Sequence, residues 1–140
     1  FQTELNIVRP FVYAHKAPQQ SYTNYNQSLT HPVGANFLES ITFLNFWHKH
    51  WVASAKFQYV VQGLDNLYEH KGSNIFVSDF LIIPNLDNAA GQYFLQGLKT
   101  RMINAEVRGG YLINPKINLS AEAFINYRYK KNDLMKCDSA

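Results

Sequence analysis

From Arg101 to Lys130 the chain alternates with a period of two almost without error, and few folds tolerate that. Ile117, Leu119, Ala121, Ala123, Ile125, Tyr127 and Tyr129 fall on one side of an extended chain. Asn118, Ser120, Glu122, Phe124, Asn126, Arg128 and Lys130 fall on the other. Side chains on a strand point alternately to opposite faces, so one face is apolar and the other strongly polar. Ahead of a turn at Asn114-Pro115-Lys116, the same pattern opposes Ile103, Ala105, Val107, Tyr111 and Ile113 to Asn104, Glu106 and Arg108. A half-buried soluble strand would alternate in the same way. Each arm here runs about a dozen residues, however, against the ~5–6 usual for a globular strand. A tilted strand of ~9–11 residues crosses the hydrocarbon of a bilayer. The expectation is a transmembrane β-hairpin, lipid outside and a polar lumen inside.

Composition agrees. Hydrophobic residues make up 46% of the chain, yet no run approaches the ~20 apolar residues of a membrane helix, so helical spanning is excluded. A barrel hides its apolar content by alternation, so a mildly negative mean hydropathy does not count against a membrane. Nine Tyr and ten Phe favour strands and interfacial girdles. Net charge is +3 with both signs interspersed, whereas a nucleic-acid groove would group its basic residues. Cys137 is the single cysteine, which leaves no disulfide framework and no cysteine-based metal site.

Taken in order, Thr3–His15 reads as a first long strand, interrupted by Arg9 and by Pro10, which cannot donate to a ladder. Residues 16–36 are a long loop rich in Gln, Asn, Ser, Thr and Pro. Phe37–Gln62 is a second hairpin, turning at His48-Lys49-His50. On its returning arm Ala53, Ala55, Phe57, Tyr59 and Val61 oppose Ser54, Lys56, Gln58 and Gln62. The descending arm carries apolar residues on both faces. Trp47 and Trp51 bracket the turn, and with Tyr127 and Tyr129 they are expected to form an interfacial girdle. The plainer alternative is a set of core aromatics in a soluble sheet. Residues 63–97 form the second long connection, in which Ile75–Ile83 is expected to be a short extended piece.

Two very short turns thus alternate with two long connections. Outer-membrane barrels have that asymmetry, with short periplasmic turns and long extracellular loops. The fold expected is all-β, an antiparallel up-and-down transmembrane β-barrel segment of about five strands. Bacterial barrels usually close with an even number, eight at least, and an unpaired edge in lipid is costly. Residues 1–140 are therefore expected to form a single barrel segment belonging to a longer chain. The opening at Phe1 rather than Met, without a leader, reads as a mature or truncated segment.

The loops carry a resemblance. Val8-Arg9-Pro10-Phe11, then Tyr22, Tyr25-Asn26-Gln27, then Leu29-Thr30-His31-Pro32-Val33-Gly34-Ala35-Asn36-Phe37 resemble the pattern "RPY…YNQPLAHPLGANF" of Bacteroidetes members of the Wzi-like capsule-assembly family. Gly63-Leu64-Asp65, Gly72-Ser73-Asn74-Ile75-Phe76 and Gln96-Gly97 are similar to the family's segments C-terminal to that pattern. The chain departs from the pattern at Ser28, where Pro is expected, and at Thr30, where Ala is expected. The likeness spans most of this chain and the C-terminal part of the family's length. It implies a barrel in the bacterial outer membrane that helps assemble or retain capsular polysaccharide at the cell surface.

Catalytic chemistry is not legible. No Walker loop, zinc-ligand spacing or nucleophile elbow occurs. His48 and His50 lie in a turn and lack a third ligand, so no metal or other cofactor is expected. Glu106 and Glu122 could imitate a glycosidase pair. With Lys56, Arg108 and Arg128 also pointing inward, they read instead as a lumenal charge network, since unpaired charges in a narrow barrel are costly. Tyr22, Asn24, Tyr25, Asn26, Gln27 and His31 place rings and amides in one loop, as a glycan site would, though polar loops are ordinary. The expected function is binding without catalysis. The expected partners are the lipid bilayer, surface polysaccharide and other outer-membrane proteins, and not nucleic acid. Two alternatives stay open: an accessory barrel subunit of a transport or secretion complex, and a soluble carbohydrate-binding β-sandwich.

Overall fold

The computed structural model describes residues 1–13, 23–24, 27–65, 70–76 and 93–133. All regular structure among them is β, mostly antiparallel, with no helix. The strands are β1 (Gln2–Val8), β2 (Thr23–Asn24), β3 (Gln27–Ser28), β4 (Phe37–His48), β5 (Trp51–Leu64), β6 (Leu98–Asn114) and β7 (Leu119–Asn132). Five of them form one sheet in the order β1-β4-β5-β6-β7, and β2 pairs with β3 in a separate ribbon. The described strands do not close into a barrel; β1 and β7 end the sheet.

Both short turns carry the backbone that tight hairpins demand. Lys49 sits at φ 54 between β4 and β5, in the left-handed region used by two-residue turns. The Trp47 indole Nε1 donates to the Lys49 carbonyl at 3.1 Å. Between β6 and β7 the turn occupies residues 115–118, one step later than the sequence pattern places it. Asn114 ends β6 and accepts the Lys116 N–H on its side chain at 3.0 Å, and Asn118 takes φ 54. β1 is shorter than Thr3–His15 suggests. It stops at Val8 because Pro10 has no N–H to give, Phe11 turns to φ 61, and the Arg9 carbonyl is taken by the Asn36 N–H at 3.3 Å. Residues 14–15 of that expected strand lie outside the described residues. Ile75 and Phe76 form a turn rather than an extended piece, and the remainder of Ile75–Ile83 lies outside the described residues.

The chain divides into two compact units. The first, called the strand unit, comprises residues 1–5, 39–60 and 102–130. β5, β6 and β7 show which face each β4 residue takes, although β4 carries apolar residues on both faces, as its sequence does. Glu39 accepts from Gln58, and Phe43 lies under the Lys56 ammonium at 5.6 Å, so odd residues of β4 share the polar face of β5. Phe46 lies instead with Trp51, Ala53 and Tyr111 on the apolar face. On β1, Thr3 meets Thr42 on that same apolar face, which places Leu5 there too. Nothing among the described residues covers this face: Leu5, Leu44, Phe46, Phe57, Val107, Ile125 and Tyr127 are all exposed. Every residue of β7 is exposed.

The second, called the loop unit, comprises residues 6–38, 61–101 and 131–140. Most of the buried side chains sit here, and they are more polar than apolar. Ala35, Phe37 and Ile75 are buried beside Asn36, Gln62, Ser73, Gln96 and Thr100.

Candidate functional site

Three places merit a functional reading, and the first is the polar face of the strand unit. Lys56 and Gln58 from β5, Asn104 and Glu106 from β6, and Asn126 and Arg128 from β7 line one cleft of about 250 Å³. They meet because each strand contributes alternate residues to the same face. Asn104 Nδ2 donates to Gln58 Oε1 at 2.8 Å, and Gln58 Nε2 donates to Glu39 Oε1, giving a relay across three strands. Glu39 is fully buried. Glu106 pairs with Arg108 at 3.3 Å and accepts from Asn126 at 3.4 Å. Of the five charged residues expected inside, Lys56, Glu106, Arg108 and Arg128 thus gather on or beside this cleft. Glu122 does not. It lies further toward the turn, where its side chain packs over Gly110 and its carboxylate meets Ser120 at 3.5 Å. The amides Gln58, Asn104 and Asn126 complete the network. Their placement on the polar face was readable from alternation, but their partners were not.

The second place is the loop unit's pair of hubs. Asn36, at φ 57, is wholly buried and ties three segments together. Its Nδ2 donates to the carbonyls of Gly63 at 2.8 Å and Gln96 at 2.9 Å, and its Oδ1 accepts the Leu95 N–H at 2.8 Å. The Asn36 carbonyl accepts the Gly63 N–H at 2.9 Å. A Cβ on Gly63 would lie 2.0 Å from the Gln96 carbonyl and 2.4 Å from Asn36 Nδ2, so only glycine fits. Asp65 is the second hub. Oδ1 accepts the N–H groups of Lys71 and Ser73 at 2.8 and 3.1 Å, and Oδ2 accepts that of Asn74 at 3.1 Å. His70 Nδ1 closes on Oδ2 at 2.6 Å. Burial pushes the Asp65 carboxyl up. The His70 hydrogen bond, the Ser73 and Lys71 N–H groups and the charge of His70 outweigh it, taking the carboxyl from 3.8 down to about 2.

His70 Nε2 is buried with no hydrogen-bond partner among the described residues, and the Phe11 ring stands edge-on to the imidazole at 5.2 Å. An imidazole oriented by a carboxylate is half of an acid–base dyad. No hydroxyl or thiol meets Nε2 among the described residues, and the Asp65 carboxylate gathers the backbone N–H groups of Lys71, Ser73 and Asn74 around itself. No group of three His, Cys, Asp or Glu able to hold a metal occurs among the described residues.

The third place is the ribbon of β2 and β3. Thr23 faces Ser28, and Asn24 faces Gln27, so two of the expected glycan residues stand side by side and exposed. Tyr22, Tyr25 and Asn26 lie outside the described residues. His31 is engaged elsewhere, with its ring against Phe37 at 4.7 Å and its Nδ1 accepting the Val33 N–H at 3.3 Å. The two departures from the family pattern touch each other. Ser28 Oγ lies 2.6 Å from Thr30 Oγ1 and accepts the Thr30 N–H at 3.2 Å.

The expected aromatic girdle is divided. Trp51 lies on the apolar face, edge-on to Tyr111 at 4.8 Å, and Tyr127 and Tyr129 share that face by alternation. Trp47 lines the opposite face with Ser120 and Leu112, because an odd position on β4 shares a face with even positions on β5. No protein-family model, no curated protein and no solved structure matches this chain.

Proposed function

We propose that this chain is a segment of an outer-membrane β-barrel that holds surface polysaccharide without turning it over, of the Wzi-like type its loops resemble. One observation carries the membrane part. Strands of 12 to 17 residues present a continuous apolar face with no protein layer among the described residues to cover it. In water such a face would be a large aggregation surface. In lipid it is the normal outer wall of a barrel, and the charged cleft behind it is normal lumen. The aromatic positions agree with a span. Tyr127 and Tyr129 are eight and ten residues along β7 from its start at Leu119, roughly 26–33 Å of strand at ~3.3 Å per residue. Tilted by ~40°, that separation matches the ~25 Å apolar band between two girdles, with Trp51 at the turn end.

The glycan part rests on the loop unit. A barrel loop that binds a polymer has to hold its shape; the Asn36 and Asp65 hubs brace their own segments of these connections, and Asn24 and Gln27 are exposed as a pair on the β2–β3 ribbon. The test starts from native membranes, washed with high salt and carbonate and then extracted with detergent. Extraction by detergent alone is expected, followed by retention of the cell's own capsular polysaccharide on the purified protein. Release by salt would leave the soluble sandwich, and insertion without glycan retention would leave the accessory subunit of a transport complex.

A further inference from the structure

The apolar face of the strand unit is not uniform. Next to the Lys49 turn it contains a groove of about 490 Å³, within the ~300–1,000 Å³ of small-ligand sites. Its floor is Gly109, Ala121 and Ala123, and its walls are Phe46, Trp51 and Tyr111. Small residues on β6 and β7 open the groove, and large rings on β4, β5 and β6 bound it. At the turn end two imidazoles extend the same face: His48 stacks at 6.4 Å from Phe46, and His50 lies 5.9 Å from Tyr111. Lys49 stands between them, exposed. Glu122, the carboxylate of β7, also borders this groove, and its side chain packs over Gly110.

An apolar trough whose wall residues Phe46 and Tyr111 touch two imidazoles, at a turn that also carries the exposed Lys49, suits a hydrocarbon chain joined to a phosphate. We propose that this groove is a binding site for one anionic phospholipid of the leaflet on the turn side. An acyl chain lies along Gly109, Ala121 and Ala123, and the phosphate meets His48, Lys49 and His50. The inference rests on the barrel reading, which is what places this face in lipid. Basic residues at the membrane surface attract anionic headgroups, whereas a bare apolar groove would take any lipid. The histidines contribute N–H donors, and their rings continue the aromatic wall. Trp51 stands where the apolar chain gives way to the headgroup, as interfacial indoles do.

The experiment is native mass spectrometry of the full-length protein in detergent, titrated separately with phosphatidylglycerol and phosphatidylcholine of identical chains. One phosphatidylglycerol adduct is expected at about fivefold or more lower lipid concentration than the phosphatidylcholine adduct. The triple variant His48→Asn, Lys49→Asn, His50→Asn is expected to bring the two lipids level; Asn tolerates the left-handed backbone at position 49. Ala123→Phe, which keeps the face apolar but fills the groove, is expected to weaken both adducts alike. Equal binding of the two lipids by the unmodified protein, or a preference that survives the triple variant, overturns the site and leaves the barrel standing. A protein that stays soluble without detergent overturns both.

Discussion

The strand unit and the loop unit are built from the same chain on opposite principles. In the strand unit the ladder carries the backbone hydrogen bonds, side chains bond to one another across the polar face, and the apolar face is left bare among the described residues, with Ile125 76% exposed. In the loop unit the backbone is irregular, Phe11 and Leu95 hold φ of 61 and 60, and buried amides and a carboxylate satisfy what the ladder does not reach. A bare apolar face is costly in water and is at no such disadvantage in an apolar solvent. A polar knot of backbone and amides is stable where every donor finds an acceptor, and each orphan is expensive. On the barrel reading proposed above, the first unit depends on its surroundings, and the second on its own closure.

Substitutions can break that comparison from either side. The largest effect is expected at Asn36→Ala, which strands the carbonyls of Gly63 and Gln96 and the Leu95 N–H. At about 1–3 kcal/mol for each buried orphan, the loss is of order 3–5 kcal/mol. Hydrogen exchange should show the Leu95 amide unprotected while the amides of residues 102–113 keep their protection. Equal loss in both units would mean that they do not fold on separate principles. Next comes Ala123→Arg on the apolar face, expected to cost ~2–4 kcal/mol at mid-depth, against less than ~0.5 for Ser120→Lys on the polar face. Denaturant titration of the protein refolded into vesicles measures both, and similar costs would contradict the facing.

How much of this was legible in the sequence depends on the same contrast. Alternation is a local rule, so the faces of β5, β6 and β7 could be read from residues two apart, and the gathering of Lys56, Glu106 and Arg128 followed. Trp47 escaped because a two-residue turn inverts the parity between β4 and β5, and proximity to Trp51 in sequence suggested a shared face. Asn36, Asp65 and Gln96 escaped as hubs because their partners lie far off in the chain, Gln96 being 60 residues from Asn36. They were visible only as members of the segments that carry the family resemblance. The rings in those segments drew attention to glycan binding, while Asn36 and Asp65 hold the backbone.

Acid sharpens the comparison further. Asp65 titrates at about 2 when folded against 3.8 unfolded, so its contribution is complete above pH 3.8 and is lost as pH falls toward 2. Allowing for partial solvent screening, the loop unit should lose about 1–2 kcal/mol over that window. Exchange of the Lys71 and Ser73 amides should accelerate across it, and Asp65→Asn should remove the dependence. The smallest effect is expected at Thr30→Ala, below ~1 kcal/mol, because it removes an exposed contact with Ser28 that water can replace and a 3.3 Å bond to the His31 carbonyl. Thermal unfolding would show little change.

The most direct measurement is a spin-label scan of β7 from Ser120 to Arg128, one cysteine at a time in a Cys137→Ser background, with the protein in lipid vesicles. Labels at positions 121, 123, 125 and 127 should be reached by dissolved oxygen, and those at 120, 122, 126 and 128 by a water-soluble nickel chelate, with a strict period of two. Nickel access at every position, without alternation, would contradict a lipid-facing wall and with it the barrel.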